Sequence, residues 1–122
     1  MEDMKNNIGV AQSLAPAARD ADANGTGIDL QGFESATIVI DMGAEGITLS
    51  TTNKIEIELE HSDDDATYTD VTSSADVIGA TPDSNGVIAT FDANGEAPSI
   101  ASVGYIGGKR YIRGVIAKTG TH

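Results

Sequence analysis

Asp20, Asp22 and Asn24 alternate along D-A-D-A-N-G, residues 20–25. Oxygen ligands at alternate positions ahead of a glycine are how a calcium loop begins, because the ion takes several oxygens and the chain must bend sharply around it. The continuation does not complete such a loop. Gln31 stands where a bidentate Glu would close the coordination, Gly27 stands where a β-branched apolar residue is usual, and a strand pattern follows instead of a helix. The plainer reading is a polar turn. Asp20, Asp22 and Asn24 stay as the weak metal candidate, and no cofactor is expected. His61, followed by Ser62 and Asp63–Asp65, is the other constellation with ligand chemistry. A second histidine occurs only at His122, so a metal there would rest on one imidazole among carboxylates that repel one another. A hydrolytic triad would need His61 as its base, and no G-x-S-x-G nucleophile turn exists. A catalytic carboxylate pair has no distinguishing spacing among 19 acidic residues. The string GYIGGKRYIR, 104–113, lacks the G-x-x-x-x-G-K-[ST] order of a phosphate loop. Gly107–Gly108 therefore read as a tight turn delivering Lys109 and Arg110 to the start of a strand. No enzyme activity is expected.

The elements that would hold these residues follow from length and pattern. The chain has 122 residues and 12.5 kDa, enough for one domain. Nineteen acidic and seven basic side chains give a net charge of -12, which argues against a nucleic-acid binder. There is no cysteine or tryptophan, and five aromatics serve the whole chain: Phe33, Tyr68, Phe91, Tyr105 and Tyr111. No apolar run is long enough to span a membrane, and MEDMKNNIGV lacks the order of a signal peptide.

Residues 1–24 read as an extended or irregular N-terminal arm, with Ile8, Val10 and Leu14 apolar and Pro16 breaking any helix. From residue 28 the period becomes two. SATIVIDM, 35–42, puts Ala36, Ile38, Ile40 and Met42 on one face and Thr37, Val39 and Asp41 on the other. Both faces are partly apolar, which suits a central strand. KIEIELEHS, 54–62, is the clearest strand, with Ile55, Ile57, Leu59 and His61 facing a core and Lys54, Glu56, Glu58 and Glu60 facing away. Residues 63–79 read as loop then weak strand, 86–92 as a strand, and 101–118 as two strands or one broken at Gly107–Gly108. Seven or eight short strands with regular turn signals predict an all-β domain over 25–122, a β-sandwich of jelly-roll type.

Charge is segregated. Residues 55–108 hold eleven acidic side chains and no Lys or Arg, whereas 97–122 hold Lys109, Arg110, Arg113 and Lys118 and no acid. One reading pairs Arg110 and Arg113 with Glu56, Glu58 or Glu60 across strands of one sheet. The other carries the basic stripe to a neighbouring subunit or partner.

Three strings, SLAPAARDADANGTGIDLQGFESATIVIDMGA (13–44), KIEIELEHSDDDATYTDV (54–71) and VGYIGGKRYIRGVIA (103–117), resemble small structural proteins of tailed bacteriophages and prophages. The G-Y-I-G-G-K-R-Y-I-R and L-E-H-S-D-D strings are the most specific. The resemblance implies a virion protein, in the first place a capsid decoration, or cement, protein. Such proteins are small, β-rich and oligomeric, and they bridge capsomers on the outside of an HK97-type shell. The implied partners are the major capsid protein and further copies of the chain, as a dimer or trimer. The implied location is the capsid exterior after synthesis in the host cytoplasm. An apolar arm can order on binding, so the expected contacts are Ile8, Val10 and Leu14, together with Lys109, Arg110 and Arg113. A tail or head–tail connector component is the alternative within virions. A soluble calcium- or ligand-binding β-sandwich module is the alternative of another class.

Overall fold

The computed structural model describes residues 8–95 and 99–122; the first seven residues of the expected arm lie outside them. Among the described residues, alternation of apolar and polar residues builds nine strands. They are β1 (Ala23–Asn24), β2 (Ile28–Asp29), β3 (Ala36–Met42), β4 (Lys54–Ser62), β5 (Thr69–Asp70), β6 (Val77–Ile78), β7 (Val87–Phe91), β8 (Ser99–Tyr105) and β9 (Tyr111–Thr119). One turn of 3-10 helix, Ser74–Asp76, precedes β6. The chain is all-β, in two antiparallel sheets. In the larger sheet β4 and β9 pair along their whole lengths, from Lys54↔Thr119 to Ser62↔Tyr111. β1 and β2 line the far side of β9, and β7 and β5 the far side of β4. In the smaller sheet β8 lies between β3 and β6.

The two sheets share one core. Ile57, Leu59, Ile88, Phe91 and Ile112 come from the larger sheet, Ile40, Val77, Val103 and Tyr105 from the smaller. Leu49 and Val71, outside the strands, complete it. Tyr105, Leu59 and Val71 are fully enclosed. The inward set of β4 follows its alternation: Ile57 and Leu59 are buried, and Ile55 packs against the core edge. A bulge between Ile57 and Glu58 shifts the β4–β7 register. Here Gly86 is required, with φ at +75°. Its carbonyl accepts from Leu59 N–H, and a Cβ would come within 2.8 Å of the Leu59 oxygen.

Two expectations are corrected. β3 is an edge strand, not a central one, because it pairs with β8 and with nothing else among the described residues. Its second apolar face, carrying Val39, is therefore open to solvent. The polar turn expected over residues 20–25 contains a strand, since Ala23 and Asn24 pair with Ile116 and Val115. The Gly25 N–H donates to the Gly114 carbonyl at 2.7 Å. Upstream, residues 8–22 form no helix or strand. They are tied down at Ser13, whose carbonyl accepts from Thr26 N–H and whose hydroxyl accepts from Gly114 N–H.

Candidate interaction surface

The basic stripe begins where β8 ends. The Gly107 backbone passes so close to Tyr105 that a Cβ would come within 2.6 Å of the phenol carbon Cζ. The chain then turns Lys109 toward the loop after β4 and Arg110 toward the end of β2. Lys109 Nζ meets Asp63 Oδ2 at 2.8 Å. The Arg110 guanidinium grips Asp29 with two bonds, 2.9 Å from Nε and 2.8 Å from Nη2. This clamp, with the Gln31 N–H, pulls the Asp29 carboxyl down to about 2. Arg113 lies opposite Glu60 in the β4–β9 register and bonds its Oε1 at 2.7 Å. Its guanidinium also covers the Tyr68 ring, 4.1 Å from the centroid. The Tyr68 hydroxyl in turn donates to Asp65 Oδ1, and desolvation with that bond pushes the phenol up to about 12.

Three of the four cations of the stripe are thus paired with carboxylates of the chain itself, while Lys118 Nζ donates to the Gly120 carbonyl at 3.0 Å. Arg113 takes the cross-strand partner that its position dictates. Arg110 and Lys109 take Asp29 and Asp63 rather than Glu56, Glu58 or Glu60. Sequence reasoning missed those two carboxylates because they sit in segments whose place beside β9 only the tertiary fold fixes. The local strings, D-L-Q at the end of β2 and H-S-D-D at the end of β4, have no bearing on partner choice.

Among the arm residues, Leu14 is half-buried, and a Cβ at Gly114 of β9 would lie 3.6 Å from its Cδ1. Ile8 is 51% exposed and Val10 94%. The Phe33 ring, itself exposed, lies so close to Gly9 that a Cβ there would come within 2.9 Å of its Cζ.

Two of the three residues of the calcium-like string are held against β9. Asp22 Oδ1 accepts from Lys118 N–H at 2.8 Å, and Asn24 is part of β1. Among the described residues no three His, Asp or Glu side chains come together as metal ligands. His61 turns inward at the end of β4. Its Nδ1 and the Tyr105 hydroxyl share a 3.0 Å hydrogen bond, with the rings edge to face at 5.9 Å. Desolvation, then the nearby Lys109, lowers the imidazole below its ordinary value. Ser62, buried beside it, donates to Asp64 Oδ1 at 2.8 Å and accepts the Asp64 and Asp65 N–H groups. Asp64 also caps Ala66 and Thr67 N–H, which takes its carboxyl to about 2. The triple-Asp stretch is therefore a loop bonded locally through Asp64 and Asp65 and to Lys109 through Asp63.

An open cleft of about 250 Å³ runs between Leu30–Ser35 and the Tyr105–Arg110 turn. That is below the roughly 300–1,000 Å³ of ordinary ligand pockets. Two surfaces remain. The outer face of the larger sheet carries Glu56, Glu58 and Glu60, with Asp70 and Asp83 near Glu58. Desolvation and mutual repulsion raise the Glu58 and Asp70 carboxyls. The outer face of the smaller sheet shows Thr37, Val39, Asp41, Ile78, Ile100 and Ser102, with one charge among them. No described helix is long and apolar enough to cross a membrane.

Comparison with protein-family models, with curated proteins and with solved structures returns no match.

Proposed function

We propose that the chain is a virion structural protein of a tailed bacteriophage or prophage, a capsid decoration protein that binds the outside of an HK97-type shell and bridges its capsomers. The observation that carries this reading is the division of the surface. One sheet presents carboxylates, and the other presents exposed Val39, Ile78 and Ile100 with a single charge. Exposed apolar surface of this kind on a small acidic domain fits a protein partner, while the carboxylate face keeps particles apart.

The strand order supports the finer fold reading, a jelly-roll-like sandwich. The first strand pieces pair with the last strand (β1 and β2 with β9), the second with the next-to-last (β3 with β8), and the third with the third-from-last (β4 with β7). Such nesting is how a wound-up hairpin makes two facing sheets. Jelly rolls serve capsids and lectins alike, so the fold alone names no partner. Basic residues 109, 110 and 113 have acidic partners within the chain, so the contacts proposed for the shell are the exposed Ile78 and Ile100 of the smaller sheet's outer face together with Ile8 and Val10 of the arm.

The test is co-sedimentation of the purified chain with empty shells of a major capsid protein of that type. Saturable binding at a fixed ratio to capsomers is expected. The double variant Ile8→Asp, Val10→Asp should bind tenfold or more weakly while melting at the same temperature. Deletion is the poorer variant, since removing residues 1–20 would also remove the Ser13 bonds to Thr26 and Gly114. Absence of binding by the intact chain would refute the decoration role. A rise in melting temperature with calcium, reversed by chelator, would favour a calcium-dependent module instead.

A further inference from the structure

We infer that two copies of this chain associate through the open edge of β3, joining their smaller sheets into one six-stranded antiparallel sheet. β3 hydrogen-bonds on one side only, to β8 over all seven residues from Ala36↔Tyr105 to Met42↔Ser99. In an antiparallel pair every second residue aims its N–H and C=O away from its neighbour. Among the described residues nothing accepts or donates to those outward groups of β3. Proteins usually block a long free edge with a lysine, a proline, a bulge or a covering loop. ATIVIDM has no lysine or proline, and its pairing with β8 runs without a register shift.

Charge selects the partner. A chain with net charge -12 repels its own copies almost everywhere. The smaller sheet's outer face is the exception, with Asp41 as its one charge beside Val39, 66% exposed, Ile100, 74%, and Ile78, 59%. β3 also fits itself. Val39 is its middle residue, so a two-fold axis through Val39 pairs all seven residues. That register sets Val39 against the second copy's Val39, Ile38 against its Ile40 and Ala36 against its Met42. Asp41 then faces the second copy's Thr37, whereas a two-fold at Asp41 would oppose two carboxylates. The inward residues Ala36, Ile38 and Met42, only half-buried at the open edge, gain cover from their counterparts. Such an isologous contact closes at two copies. It stands apart from the decoration reading, since it needs no shell.

The experiment is molar mass by light scattering at about 100 µM, a concentration that populates a dimer of micromolar Kd. The native chain should give twice 12.5 kDa. Val39→Lys should halve that mass while the variant keeps the native circular-dichroism spectrum, and its melting temperature should no longer depend on protein concentration. The chain has no cysteine, so Val39→Cys provides a second reading. Directly opposed residues in an antiparallel pair lie within disulfide reach, and oxidation should link the two copies covalently. Ile100→Cys, one strand further from the axis in each copy, should stay unlinked. A monomeric native chain, a dimer that survives Val39→Lys, or equal linkage of the Ile100→Cys and Val39→Cys variants would each overturn the inference.

Discussion

Tyr105 shows how much one side chain decides. Its ring is fully enclosed between the sheets, yet its hydroxyl shares a hydrogen bond with His61 Nδ1 and accepts the Lys109 N–H at 3.3 Å. Those bonds join the end of β4 to the turn between β8 and β9. Tyr105→Phe keeps the ring and strips both partners, so unfolding free energy from urea titration should fall by about 1–3 kcal/mol. A loss below a few tenths would mean that water replaces the hydroxyl. Alternation alone put His61 on the core face of β4; its partner, 44 residues away, has no signature in the local pattern.

At the scale of the element, β4 carries the cost of its own outer face. Glu58 is flanked by Glu56 and Glu60 on the strand and approached by Asp70 and Asp83, and its carboxyl is raised by desolvation and by these neighbours. A raised carboxyl means that the folded state resists ionising it. The penalty is complete above the folded value and disappears as pH falls toward 4.5, where the unfolded chain protonates as well. Glu58→Gln should therefore stabilise at pH 7 by roughly 0.2–1 kcal/mol, in the range of an opposed like-charge pair screened by solvent. The gain should vanish near pH 4 and shrink with added salt, as melting temperatures across that range would show. An equal gain at both pH values would assign the effect to packing. β4 was legible in the sequence because three apolar residues and His61 alternate with four charged ones. β3 was legible as a strand but not as an edge, since an apolar second face reads the same whether a neighbour covers it or not.

For the whole molecule, the cations of β9 and its leading turn hold the N-terminal segments and the loops to the larger sheet. Asp29 and Asp64, both at about 2, bind fewer protons folded than unfolded once pH drops below 3.8. Their contribution is complete above 3.8 and is lost as pH falls toward 2. The urea midpoint should accordingly decline between about pH 4 and pH 2, and Asp64→Asn should flatten that decline. A midpoint that rises over this interval would show that relief of the net charge outweighs the two bonded carboxylates.

Alternation and turn residues by themselves determined an all-β chain, the extent of β4, the positions of β3, β7, β8 and β9, and the break at Gly107–Gly108. These features are local: a period of two and a glycine's freedom act over a few residues. Tertiary structure decided the rest. It drew Ala23–Asn24 out of a polar stretch onto β9, sent β6 to the opposite sheet from β5, and gave Arg110 and Lys109 to Asp29 and Asp63. It also left β3 at an edge. Each of those outcomes depends on which backbone groups and charges meet across tens of residues, and a one-dimensional pattern of polarity does not encode that.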